Sequence, residues 1–310
     1  MTDYLALLGE RFPVRNTKAQ RTAFRAWLRE EVQALGYRYT EETNGFFHCS
    51  ALTVGNPEKA PLVLAAHTDT PARWLLPDLS FPRNIPLWIL WQLLHMVLLL
   101  IPALAVYLLV WRVSGENAQL GLWGLVLTYV GALLLSQFGP ANPRNRGEDA
   151  DLAAVLSLLA GLPEEDREKV AVVFADQGCR GVSGTKAWAK EHPQAAYTRL
   201  TLTLSRIGEG KSRLCASTAS ARKCTGWGTL QRLLGERLGA AFCDTRGFTL
   251  RGDRRGFRCG VTLSAGKHSK LLGLWSGRAR TPQDVVADPE NVTQVWQTIK
   301  VFLHSLKTAP

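Results

Sequence analysis

The chain has 310 residues, of which 46% are hydrophobic and 20% charged, and a formal net charge of +11. That balance excludes a disordered or collagen-like chain, and the length admits one large domain or two small ones. Mean hydropathy is −0.04, but the average hides two blocks: residues 85–139 are almost free of charge, and Ser205 to Arg280 holds 16 Lys+Arg against four Asp+Glu.

Taken in chain order, Met1 to Arg11 carries Asp3 and Glu10 and has no long apolar core, so no secretory signal is expected. Residues 18–36 read as an amphipathic helix with Phe24, Trp27, Leu28, Val32 and Leu35 on one stripe and Gly36 as its stop. Gly45–Val54 reads as a strand followed by a turn at Gly55-Asn56-Pro57. Pro61–Ala66 is a buried strand that delivers His67-Thr68-Asp69 at its carboxyl edge.

Two apolar stretches follow, Ile85–Trp111 and Leu120–Phe138, of 27 and 19 residues. As helices they reach roughly 40 and 28 Å, against a hydrocarbon core of about 30 Å. Trp88, Trp91, Trp111 and Trp123 lie near their ends, and Arg112–Gln119 is a short connection. A transmembrane helical hairpin is expected, kinked at Pro102, with Gln92 and His95 on one face as helix-to-helix contacts. Arg73, Arg83, Arg144 and Arg146 flank the hairpin, while its connection holds Arg112 offset by Glu116. The positive-inside rule therefore puts the rest of the chain in the cytoplasm. The expected organisation is a discontinuous domain, 1–84 and 140–310, interrupted by the hairpin at 85–139.

Beyond the hairpin, helices are expected at Leu152–Leu162, Ser183–Lys190, Thr229–Leu238 and Pro289–Leu306. Strands are expected at Val170–Ala175, Leu200–Leu204 and Gly260–Ser264. Strands alternating with helices imply a three-layer α/β fold with a mainly parallel or mixed sheet, and ligands meet such sheets at the carboxyl ends of the strands. The six cysteines, Cys49, Cys179, Cys215, Cys224, Cys243 and Cys259, include no C-x-x-C pair, so free thiols are expected. Gly181-Val182-Ser183-Gly184 lacks nucleophile-elbow spacing, and Gly266-Lys267-His268-Ser269 lacks that of a phosphate loop.

A histidine at a strand end with an aspartate two residues on suits a metal site, one ring nitrogen ligating and the carboxylate orienting. Six segments extend that hint: Ala66-His67-Thr68-Asp69-Thr70, Gly147-Glu148-Asp149-Ala150-Asp151, Phe174-Ala175-Asp176-Gln177-Gly178-Cys179, Leu202-Thr203-Leu204-Ser205, Gly252-Asp253 with Phe257 and Gly260, and Arg280-Thr281-Pro282-Gln283-Asp284. In this order they resemble the zinc aminopeptidase family that includes aminopeptidase Y and the glutaminyl cyclases, over roughly residues 15–308, with the hairpin inserted between the first two. The resemblance implies the zinc-exopeptidase fold. It also implies that the site has degenerated. His67 and Asp69 are kept, but Ala150 falls at the bridging aspartate, between Asp149 and Asp151. Gly178 falls at the general base, Cys179 and Ser205 at acidic ligands, and Arg280 at the last histidine.

The sequence is thus expected to encode a membrane-anchored pseudopeptidase that binds, scaffolds or senses, with no cofactor. The alternative is a divergent metal-dependent hydrolase holding zinc at His67 and Asp149 or Asp151, with Cys179 and Asp253 completing a rearranged site. Cys179 acting as a nucleophile with His67 as its base is a further arrangement. Asp69, Asp253, Arg254 and Arg280 are candidate ligand-binding residues for an anionic small molecule, and the basic segment suits anionic lipid headgroups. Nucleic acid is not expected, since no binding motif is present and aromatic residues are sparse in the basic segment.

Overall fold

The computed structural model describes residues 2–44, 49–73, 78–81, 84–142, 146–178, 183–244, 256–270, 274–278 and 280–306. In chain order the elements are α1 (Tyr4–Arg11), α2 (Lys18–Ala34), β1 (Tyr39–Asn44), β2 (Cys49–Val54), β3 (Leu62–His67), β4 (Asp78–Ser80), α3 (Ile85–Val113), α4 (Ala118–Phe138), α5 (Gly147–Gly161), β5 (Val170–Ala175), α6 (Ser183–Glu191), α7 (Pro193–Thr198), β6 (Leu200–Ser205), β7 (Ser212–Ser217), α8 (Trp227–Leu238), β8 (Ala241–Asp244), β9 (Gly260–Ser269), β10 (Leu274–Gly277) and α9 (Pro289–Ser305).

One sheet joins the strands before and after the apolar helices, in the order β1-β2-β5-β3-β6-β9-β10-β4, with β7 paired to β9 and β8 to β7. Its centre is parallel: β5, β3, β6 and β9 run the same way. Strand parity explains the layers, because successive side chains point to opposite faces. Leu62, Leu64 and Ala66 of β3, with Val170, Val172 and Phe174 of β5, enter a large core with residues of α1, α2, α5, α8 and α9. Val63, Ala65, Val173 and Ala175 enter a smaller core on the other face with Trp188 of α6 and Ala195 and Ala196 of α7. The expected three-layer mixed-sheet architecture is what forms. Central strands covered on both faces read as continuous apolar runs, as these do.

Cap chemistry sets the start of α2. Thr17 accepts from the Gln20 amide and the Gln20 side chain returns to the Thr17 amide, a reciprocal capping box. Several strands lie outside the expected set: β1, β4, β7, β8 and β10. They are short, polar or at the margins of the sheet, where apolar periodicity is weak. The strand expected over Gly45–Val54 is described from Cys49 onward, and residues 45–48 fall outside the described set.

α3 and α4 are long and apolar enough to cross a membrane. Their side chains meet each other and little else. Gly121 and Gly124 admit Tyr107 and Val110 of α3 at close contact. Apart from Tyr197 and Val286, every large hydrophobic side chain exposed among the described residues lies on these two helices. α3 runs through Pro102 without interruption. His95 pairs through Nδ1 with the Trp91 carbonyl at 2.8 Å, inside its own helix.

Candidate functional site at the carboxyl ends of the parallel strands

The site lies where β3, β5 and β6 end and α5 begins. His67 is the last residue of β3. The Thr68 amide then donates to the Ala175 carbonyl at 3.0 Å, which brings the loop after β3 against the loop after β5. Asp69 is buried, and its Oδ1 accepts from the Gly178 amide at 2.8 Å.

Gly178 is where the resemblance places a general base. A Cβ there would lie 1.5 Å from His67 Nδ1, 2.1 Å from Cε1 and 2.2 Å from Cγ. The imidazole occupies the volume that any side chain at 178 would need. The two positions are therefore interlocked: this histidine orientation requires glycine.

Helix α5 points its amino terminus into the site, and the three acidic residues of its first turns separate. Asp149 turns away to form a fully buried ion pair with Arg15 at 2.8 Å. Arg15 also donates from Nε to the Thr68 carbonyl at 2.7 Å and stacks over the Phe24 ring. Burial outweighs Arg15 and raises the Asp149 carboxyl above its usual range. Asp151 accepts from the Arg206 and Ile207 amides at 2.7 and 2.9 Å, so both of its oxygens hold the turn after β6. Glu148 lies one helical turn before Asp151, on the same face. Burial and the neighbouring Asp151 charge raise Glu148, while His67 and Arg206 oppose the rise. Burial raises Asp151 too, against the Ile207 and Arg206 amides. Ala150, the position matched to a bridging aspartate, faces the large core.

Ser205 ends β6, and Arg206 follows in the left-handed region at φ 60°. Its side chain is buried. Arg280, also left-handed at φ 67°, donates from Nε to the Ala72 carbonyl at 3.1 Å and from Nη2 to the Ser136 carbonyl at 2.7 Å. It thus ties the last turn of α4 to the loop after β3. Asn16 adds a second tie, from Nδ2 to the Gly139 carbonyl at 2.7 Å. Asp284, four residues after Arg280, accepts from the Gly147 amide at 2.9 Å and the Arg146 amide at 3.3 Å. It caps the start of α5 and is raised chiefly by burial.

His67 and Asp69 both meet Gly178, and Asp151 holds the turn after β6, whereas Asp149 and Arg280 are engaged at the margins of the site. Cys179, Asp253 and Arg254 lie outside the described residues. Sequence reasoning assigned no role to Glu148, Arg206, Glu209 or Asp284. The three-residue spacing of Glu148 and Asp151 at a helix start was the one signal available.

The zinc that the resemblance implies does not fit the described donors. Structural and catalytic zinc sites need about three or four converging protein ligands. Among the described residues, the group of three acidic, thiol or imidazole donors within 4.8 Å of one another is Glu165, Asp166 and His304. That cluster lies on the turn before β5 and the end of α9, and Lys169 already pairs with Asp166 at 2.8 Å. At the strand ends, Asp149 and Asp151 are committed elsewhere and His67 fills the glycine niche.

No sequence-family profile and no curated relative matches the chain. Solved structures do match. Glutaminyl cyclase from Porphyromonas gingivalis aligns at 12% identity over 97% of each chain, with a TM-score of 0.57. A zinc-dependent exopeptidase from Parabacteroides distasonis aligns at 14% identity over 98% of this chain and 96% of its own, with a TM-score of 0.56. LapA aminopeptidase from Legionella pneumophila aligns at 10% identity over 99% of this chain and 70% of its own, with a TM-score of 0.55. The chain has the fold of the zinc exopeptidases and glutaminyl cyclases. At these identities the likeness is one of fold, and function must be argued from the site.

Proposed function

We propose that this chain is a membrane-anchored protein of zinc-exopeptidase fold that no longer hydrolyses peptides and instead binds, scaffolds or senses. The interlock of His67 with Gly178 carries the reading. A general base is worth about 10²–10⁴ in rate, and glycine cannot accept a proton. Any side chain restored at 178 would collide with the imidazole. The separation of Asp149 from Asp151 points the same way, since one is neutralised by Arg15 and the other spent on backbone amides.

Anchoring rests on α3 and α4, whose apolar surfaces are exposed along both helices. The turn between them has Arg112 and Glu116 paired at 3.3 Å. The flanking arginines favour a cytoplasmic domain. Four residues separate β4 from α3, and the β9–β10 ribbon that partners β4 carries Lys267, with Lys270 immediately after β9. That basic edge suits anionic headgroups next to the hairpin root, at about 1 kcal/mol per well-placed cation.

Metal analysis of the purified full-length chain, alongside an aminopeptidase assay, tests the reading. The expected result is substoichiometric zinc and no turnover. One zinc per chain that disappears in His67→Ala would overturn it in favour of a rearranged hydrolase. An introduced Arg232→Cys, at an exposed position of α8, is expected to resist impermeant maleimide in intact cells and to react once they are permeabilised, and labelling from outside would reverse the topology.

A further inference from the structure

Arg206 is a buried cation on the turn that Asp151 holds. The guanidinium and Glu209 press against the same glycine: a Cβ on Gly277 would lie 2.8 Å from Glu209 Oε2 and 3.2 Å from Arg206 Nη1. Glu209 in turn shares Gly147 with Asp284. A Cβ on Gly147 would lie 3.3 Å from Glu209 Oε1 and 3.4 Å from Asp284 Oδ1. Two glycines thus leave room for a run of charged groups, Asp284, Glu209 and Arg206, across the start of α5. Glu148 and Asp151 complete it from the helix, and Asp151 holds the turn that presents Arg206. The residues are 1% exposed at Asp284, 3% at Glu209 and 6% at Arg206.

We propose that Arg206 is a built-in cation that takes the electrostatic place of a metal: its guanidinium neutralises Glu148, Asp151, Glu209 and Asp284 at the strand ends, so that the fold stands without an ion there. The inference rests on the non-metal reading above and goes further, because it says what replaced the ion. A guanidinium is permanently charged and offers five donors in a fixed fork, so it can satisfy several carboxylates at once. Four carboxylates still exceed one cation. Backbone amides supply the remainder: Asp151 accepts from Arg206 and Ile207, Asp284 from Gly147 and Arg146, and Glu209 from Arg278.

The test is to remove the cation and offer another. Purified full-length wild type and Arg206→Ala are melted with and without manganese(II), which favours oxygen donors over the chain's thiols. Arg206→Ala is expected to gain a saturable rise in Tm of about 5 °C at a hundredfold excess over Kd, with about one ion bound per chain. Wild type is expected to show neither, and Arg206→Ala/Glu148→Gln to lose the gain. No manganese response in a folded Arg206→Ala overturns the inference and leaves the non-metal reading standing. Tight manganese or zinc binding at this site in wild type overturns both. Should Arg206→Ala fail to fold, Arg206→Lys and Arg206→Met decide. Lysine keeps the charge and is expected to melt above methionine, and an equal or lower Tm for lysine overturns the inference.

Discussion

Gly178→Ala is a one-methyl substitution with a large expected effect. The new carbon would stand 1.5 Å from His67 Nδ1 and 2.2 Å from Cγ. Because Cγ is the ring atom attached to the histidine Cβ, rotating the ring about its own axis cannot clear the clash; the whole side chain must leave its χ1 well. Overpacking of this kind costs about 1–3 kcal/mol. For a domain of this size that lowers Tm by about 2–6 °C. Gly178 does not have a positive φ, so alanine at that backbone is otherwise tolerated and gains about 0.4–1 kcal/mol through the unfolded chain. The sign of the effect should therefore reverse once the ring is gone. In a double-mutant cycle, Gly178→Ala is expected to destabilise wild type and to be neutral or stabilising in His67→Ala. That gives a coupling of about 1.5–4 kcal/mol between the two sites. Thermal melts of the four proteins suffice. An equal cost in both backgrounds would refute the interlock, and with it the argument that a base cannot be restored at 178 while His67 keeps its position.

Asp149→Asn leaves Arg15 buried and unpaired and is expected to cost about 3–5 kcal/mol, whereas Asp149→Asn combined with Arg15→Met recovers much of the loss; urea midpoints measure both. The raised Glu148 and Asp151 carboxyls retain protons that the unfolded chain releases in the ordinary carboxylate range. The native state thus binds more protons, and stability falls as pH rises through that interval. The fall is expected between about pH 4 and pH 8, with a flatter profile in Glu148→Gln. Arg280→Ala removes both side-chain ties to Ala72 and Ser136, and faster hydrogen exchange is expected in the last turn of α4 with β6 unchanged. The Cys224 thiol is pushed up to about 12 by burial and the adjacent Cys259, so it should resist iodoacetamide at neutral pH in the folded protein and react on unfolding.

The strands that build the core were legible because burial on both faces makes them continuous apolar runs: LVLAA of β3, VAVVFA of β5 and LTLTL of β6. The apolar helices were legible for the same reason, their surfaces being oily all round. β1, with the sequence YTEETN, escaped notice because only its antiparallel partner β2 specifies it. β4 and β10 have three and four residues and exist through each other and β9. Site chemistry was legible where backbone position decides it, as at His67, Asp69 and Gly178. It was not legible where a long side chain decides. The resemblance matches Arg280 to a ligand position, but its guanidinium reaches the Ala72 and Ser136 carbonyls. Arg206, one residue past Ser205, is buried instead.

Arg280 belongs to a set of contacts that fastens the chain where the apolar hairpin leaves and rejoins the sheet domain. A hairpin entering between β4 and α5 interrupts the chain at the edge of the strand-end site, where loose backbone would disturb the start of α5. Three contacts close that gap. The Arg73 amide donates to the Pro140 carbonyl at 2.9 Å, Ala72 bridges Ala141, and Asn142 Nδ2 donates to the Thr281 carbonyl at 3.0 Å. Arg280 joins the same loop from the opposite side, and Asp284, on the turn that Asn142 holds, caps Gly147. The hairpin root and the helix that carries Glu148 and Asp151 are therefore fastened to one short segment, residues 280–284. Residues 280–284 are thus one physical link between α4 and the start of α5, alongside the direct ties of Asn16 to Gly139 and of Arg73 to Pro140.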